Sequence, residues 1–251
     1  MPRCGSAPLS KTLGIRKDIF VTNSITIFTE RLEKEWLLSF CGAPHRNYAP
    51  DGFKTSSIQK LDEFDAYWFI RAIDNNLVTE SEGFFEAPRS AAKEQIFWQG
   101  AKNVTPRPVT LWIEPVITIG TLARLTEEFG WPIDNLGTQS KTWEFDLVCY
   151  EATSDKEVIA CEVKKDGNEI EKLLHFMKVY CAEQSLASEP ENAAERNAYR
   201  KVQGIRKSWP KLFWALGPGG NGEVFLVLRE SGSEIFRLDS VSEESLKYEN
   251  A

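Results

Sequence analysis

Apolar and polar positions along this 251-residue chain follow two rhythms. Residues 145–151 (FDLVCYE) and 157–164 (EVIACEVK) are short apolar runs on either side of a polar segment, which predicts two buried strands joined as a hairpin. A helical rhythm brackets them. Glu114-Pro115 opens a predicted helix through Phe129, ended by Gly130-Trp131-Pro132. After Gly167, residues Ile170, Leu173, Leu174, Met177 and Cys181 recur at spacings of three and four, a helix over about 169–182 with Asn168 as candidate cap. KLFWAL and EVFLVLRE read as strands around a GPGGNG turn, and EIFRL as a last short strand or turn. The fold class is therefore α/β (α+β), a mixed sheet flanked by helices.

The first hundred residues are less regular. Ile19 to Phe28 is a β-branched run, and TERLEKEWLLSF predicts a helix with Leu32, Trp36 and Leu37 on one face. Residues 58–74 predict an aromatic helix, and 77–99 a strand or hairpin followed by a short helix. KNVTPRPVT, with two prolines, divides the chain into an N-terminal α+β segment, 1–105, and a second unit, 106–251.

Composition narrows the classes. No apolar run approaches the roughly 18 residues of a membrane span, so no membrane partner is expected. The acid-free start MPRCGSAPLSKTLGIRK lacks the apolar stretch of a secretory signal; a plain terminus or an organelle transit segment remains. The five cysteines form no CxxC pair, which argues against a disulfide framework or zinc site and for a reducing, cytoplasmic setting. Cys149 and Cys161, inside the predicted strands, read as small buried hydrophobes. A net charge of −7 argues against a protein that coats nucleic acid, without excluding an enzyme with a local basic surface.

The hairpin carries the chemistry. Alternation puts Glu162 and Lys164 on one face of their strand, and antiparallel pairing sets Asp146, at the head of the first strand, beside them. Two adjacent carboxylates repel unless a cation lies between them. Hard oxygen ligands with retained waters describe Mg²⁺, which lowers the pKa of bound water and offsets charge on a phosphoryl oxygen. Lys164 would orient the nucleophile or offset transition-state charge.

Asp146 followed sixteen positions later by Glu162-Val163-Lys164, between two helices, resembles the PD-(D/E)xK nuclease superfamily. The resemblance covers about residues 109–230; Phe145 stands where the family often has proline. Glu162 is the only acid here with lysine two positions on. The resemblance implies a restriction-endonuclease-like core with an N-terminal α+β extension, and metal-dependent hydrolysis of DNA phosphodiester bonds in restriction, defence or repair. It implies Asp146, Glu162 and the Val163 carbonyl as ligands of Mg²⁺ (or Mn²⁺), and a further acid on the first core helix. Glu114 is the first choice, with Glu127 and Glu128 as alternatives; Glu144 is either a third acid or a solvated strand-end charge.

Gln139 and Ser140 precede the motif strand as candidate phosphate or water contacts. Arg196, Arg200, Lys201, Arg206 and Lys207 form a candidate nucleic-acid-binding stretch, which a solvated helix face would also explain. Lys165, Lys172 and Lys178 are candidates to extend it. His45 and His175 have no partner at ligand spacing, and GPGGNG lacks the features of a phosphate loop. Trp36, Tyr67, Trp68, Phe69, Phe97 and Trp98 read as core rather than as a stacking platform. DNA is the expected partner, with RNA the alternative, and the N-terminal segment is the place for a second copy or protein partner. The rival function is a catalytically silent module of the same fold that binds nucleic acid or protein.

Overall fold

A computed structural model describes residues 23–142, 144–186 and 188–249. Among them six strands form one mixed sheet: β6 (Leu136–Thr138), β7 (Leu147–Tyr150), β8 (Glu157–Val163), β9 (Leu212–Leu216), β10 (Gly222–Arg229) and β11 (Phe236–Val241). Neighbours run in the order β11-β10-β9-β8-β7-β6. Only β8 and β9 pair in parallel. Their crossover holds helices α5 (Gly167–Cys181) and α6 (Ala193–Ser208). Every residue of β7, β8 and β9 is buried. That is why these strands read as unbroken apolar runs: both faces of the sheet are covered.

Side-chain alternation divides the two faces. Leu147, Cys149, Ile159, Cys161, Leu212 and Trp214 pack with α4 (Ile113–Glu127) and α3 (Glu63–Asp74). Val148, Tyr150, Ala160, Phe213 and Phe225 pack with α5 and α6. The result is a helix–sheet–helix sandwich. Helix α5 begins at Gly167, and its cap is Asp166 rather than Asn168: the Asp166 side chain accepts the Glu169 N–H at 2.9 Å. Asn192 caps α6 in the same way.

The N-terminal part departs most from expectation. Its run up to Phe28 is helical from Ser24; residues 19–22 lie outside the described ones. Helix α1 (Ser24–Arg31) continues through a π-helical turn, Leu32–Trp36, into α2 (Leu37–Gly42). Tertiary packing overrides the β-branched preference, because Phe28 and Trp36 meet Phe69 of α3 edge to face at 5.2 and 5.1 Å. Residues 77–99 hold four short strands and no helix: β1 (Thr79–Ser81), β2 (Phe84–Glu86), β3 (Glu94–Gln95) and β4 (Phe97–Gln99).

The proline-rich stretch near 102–108 does not separate two cores. Strand β4 pairs across it with β5 (Val109–Leu111). One buried cluster runs from Phe28 through α3 and α4 to Leu216. Gly120 of α4 lies so close to α3 that a Cβ there would come within 2.9 Å of the Phe69 backbone nitrogen. No described helix is long and apolar enough to cross a membrane.

Candidate functional site

The hairpin of β7 and β8 brings the quoted charges together. Leu147 pairs with Cys161, so the register carries Asp146 opposite Glu162. Asp146 Oδ2 accepts the Val163 N–H at 2.8 Å, and the Asp146 N–H donates to the Cys161 carbonyl at 3.1 Å. Asp146, Glu162 and Lys164 share one parity with Val148, Tyr150 and Ala160, the face toward α5 and α6.

Glu162 is 1% exposed and faces two ammonium groups. Lys164 Nζ lies 2.5 Å from Oε1 and Lys201 Nζ 2.6 Å from Oε2. Lys201 also donates to the Glu144 carbonyl. Burial alone would push the Glu162 carboxyl up; Lys201 and then Lys164 outweigh it and hold the group below the usual carboxylate range. Asp146 goes the other way. Burial first, and the Glu162 charge second, raise it well above the usual range. Lys164 stays protonated: burial opposes its charge, but Glu162 and Asp146 together raise it.

Glu114 stands across the sheet end. Its Oε1 accepts the Lys165 N–H at 3.3 Å, its Oε2 the Trp112 indole N–H at 3.2 Å, and its charge helps raise Lys164. The alternative acids are engaged elsewhere. Glu127 bonds Arg71 and Asn75, and Glu128 bonds Arg124. Glu144 is half-buried, 3.7 Å from Lys207.

Gln139 is beside Asp146 through its backbone, donating to the Asp146 carbonyl at 2.8 Å from a left-handed conformation (φ 55°). Its side chain turns to Glu94 Oε1 at 2.8 Å. Glu94 is a buried acid that the strand pattern alone did not single out; burial pushes its carboxyl up to about 7, against the Gln139 hydrogen bond. Ser140 is fully buried and staples the turn, its hydroxyl accepting the N–H groups of Glu144 and Phe145.

The basic stretch is not an open face of free cations. Lys201, 8% exposed, points inward to Glu162. Arg200 makes a forked pair with Glu189. Arg196 donates to the carbonyls of Pro190 and Glu191, and Arg206 to those of Tyr180, Glu183 and Glu234. Lys165 pairs with Glu169, and Lys178 lies over the Phe225 ring. The helical wheel held the signal for Lys201: it is three positions after Ala198 and four before Ile205, both fully buried.

Cys149 and Cys161 are fully buried free thiols, which burial raises well above their usual value. Among the described residues no group of three or more His, Cys, Asp or Glu side chains is arranged to hold a metal ion. The oxygens at the site are those of Asp146, one of which accepts the Val163 N–H, and of Glu162, each of which faces an ammonium group. Such a set does not fit a caged ion; a divalent cation that keeps most of its waters would take these oxygens in place of Lys164 or Lys201. No family model, curated protein or solved structure matches this chain.

Proposed function

We propose that this chain is a metal-dependent nuclease that hydrolyses DNA phosphodiester bonds. The observation that supports this reading best is the meeting of Asp146, Glu162 and Lys164 at one sheet end, across two paired strands. Asp146, Glu162 and the Val163 carbonyl would hold Mg²⁺ (or Mn²⁺). Bound there, such an ion supplies a water of lowered pKa and a counter-charge for the phosphoryl oxygens.

The chain's own groups set the rest. Lys164 keeps its proton, so it acts as a hydrogen-bond donor and a positive charge beside the phosphate rather than as the base. Glu114, within the field of Lys164, helps hold that ammonium at the sheet end. Lys201 compensates Glu162 from the helical layer and keeps it ionised.

Incubation of supercoiled plasmid with Mn²⁺ or Mg²⁺ tests the reading. The parent should nick or linearise the DNA. Asp146→Asn and Glu162→Gln, folded by circular dichroism, should lose at least about 100-fold in rate. Absence of cleavage with either ion on duplex, single-stranded and branched DNA, and on RNA, ends it.

A second reading, a catalytically silent module of nuclease type, draws on one observation: both Glu162 oxygens already face ammonium groups. Such a module should show no Mn²⁺-dependent rise in melting temperature that Asp146→Asn removes.

A further inference from the structure

We infer that the cleft beside the candidate site is a stacking pocket for an unpaired nucleobase, formed by Trp98 and Trp112. This rests on reading Asp146, Glu162 and Lys164 as a nucleic-acid site. Trp98 is 59% exposed, more than any other large hydrophobic side chain among the described residues, and Trp112 is 37% exposed. Their neighbours in the chain, Phe97 and Ile113, are buried in the core, so the ribbon of β4 and β5 and the start of α4 fix the two indoles from behind. The ring centroids lie 5.5 Å apart with planes at 83°, forming a corner with a floor and a wall.

The cleft around this corner has a volume of about 560 Å³, and Lys60, Glu114, Lys165 and Asp166 also line it. It begins where the candidate motif ends, since Lys165 follows Lys164 directly. Glu114 ties the two places together through the Trp112 indole and the Lys165 N–H. Its acids are already engaged, Glu114 in these bonds and Asp166 in capping α5. Lys60 is exposed at its edge.

The chemistry of the lining selects the ligand. An indole face exposed to water gains by stacking on another flat π-system, and every base has one. Inside a duplex those faces are hidden between neighbouring pairs, so the pocket takes a base from a single strand, a flap or a frayed end. Two lysines against two carboxylates give the cleft little net charge. Binding there should come from stacking, with a shallow salt dependence.

The test is fluorescence anisotropy of a labelled oligothymidine of about 12 nucleotides, within the usual span of single-strand sites. It uses the full chain in EDTA, so that cleavage plays no part. The single strand should bind more tightly than its duplex. Trp98→Ala should weaken single-strand binding about 5- to 150-fold, the loss expected for one stacked base, and Trp98→Phe should restore most of it. The nucleobase is common to DNA and RNA, and an oligouridine arm reads the backbone preference; Trp98-dependent binding of either strand upholds the inference. Equal affinity of parent and Trp98→Ala overturns it, as does absence of single-strand binding. A Trp98→Ala effect on oligomeric state alone also overturns it and assigns the indoles to contact between copies. Trp98-dependent binding with no cleavage of duplex, single-stranded or branched DNA or of RNA leaves this pocket standing and removes the nuclease reading; cleavage with no effect of Trp98 does the reverse.

Discussion

Replacing Lys201 by Met asks whether the buried charges act as one unit. Lys201 Nζ is 2.6 Å from Glu162 Oε2, and both side chains are nearly sealed from water. At an effective dielectric of about 20, the gross attraction at that separation is about 6 kcal/mol. Desolvation of both ions consumes much of it, and breaking a buried pair by removing one partner typically costs about 3–5 kcal/mol. Here Lys164 still faces Glu162, so Lys201→Met should cost about 2–4 kcal/mol in urea unfolding at neutral pH. Part of that comes from the Glu144 carbonyl, which loses its donor. Glu162→Gln should cost a comparable amount, because it leaves Lys164 and Lys201 without the carboxylate that each faces. The double variant separates these contributions. The Glu144 loss is common to the single and double variants and cancels, leaving the Lys201–Glu162 coupling at about 1.5–3 kcal/mol. Lys207→Ala is the control: its side chain is 58% exposed and 3.7 Å from Glu144, and it should change stability by less than about 0.5 kcal/mol. A coupling below about 0.5 kcal/mol would refute the contact, and with it the account of how Glu162 is kept ionised.

Two further outcomes follow from the same structure. Burial pushes the Asp65 carboxyl up to about 7, the Gly219 N–H bond opposing, whereas in the unfolded chain it titrates near 4. The folded state prefers the protonated acid, so the stability Asp65 contributes is complete below about pH 4 and is lost as pH rises through about 7. Asp65→Asn keeps an acceptor for Gly219 and removes the charge. It should raise the unfolding free energy by roughly 3–5 kcal/mol at pH 8 and by little at pH 4; an equal effect at both pH values would contradict the assignment. Arg200→Ala removes an exposed pair with Glu189, and should leave stability within about 1 kcal/mol and single-strand affinity unchanged in the EDTA assay; a large loss of affinity would return α6 to the nucleic-acid interface.

The core was legible wherever burial on both faces left its mark on composition. LVCY, VIAC and LFWAL read as strands because helices cover the sheet on each side. Helix α5 reads from its spacing, and α4 from its ends, Glu114-Pro115 and Gly130-Trp131-Pro132. Asp146, Glu162 and Lys164 were legible as a trio because a hairpin converts sequence order into register without knowledge of the rest of the fold. What failed depends on distant partners. The β-branched stretch ending at Phe28 is helical from Ser24 because aromatic side chains of α3 receive it. β6 is three residues long and exists through its pairing with β7. The prolines near 102–108 suggested a boundary, yet the segments on either side pair as β4 and β5. Glu94 meets Gln139 across 45 positions, and no local pattern announces that bond. Trp98 reads as core by residue type, like its aromatic neighbours, yet it is exposed because it alternates with the buried Phe97 along β4.

Charge at the sheet end also bears on how a substrate would be held. Asp146 and Glu162 facing Lys164 alone would leave an excess negative charge in a buried place, a costly arrangement. Lys201 would bring the four groups to neutrality with both acids ionised, but Asp146, raised by burial and by Glu162, is the group with least hold on its charge. A cluster within one charge of neutral exerts little long-range pull on a phosphodiester. Of the arginines of α6, Arg200 is paired with Glu189, whereas Arg196 and Arg206 keep their charge on backbone carbonyls; the chain as a whole carries −7. With no divalent ion bound, electrostatic capture of the kind that dominates most nucleic-acid binding is therefore weak here. If this sheet end works on nucleic acid, the strand must be retained by contacts that do not depend on net charge. Exposed indoles beside Lys165 supply such contacts, and that is why a shallow salt dependence and a loss on Trp98→Ala are expected of the same protein.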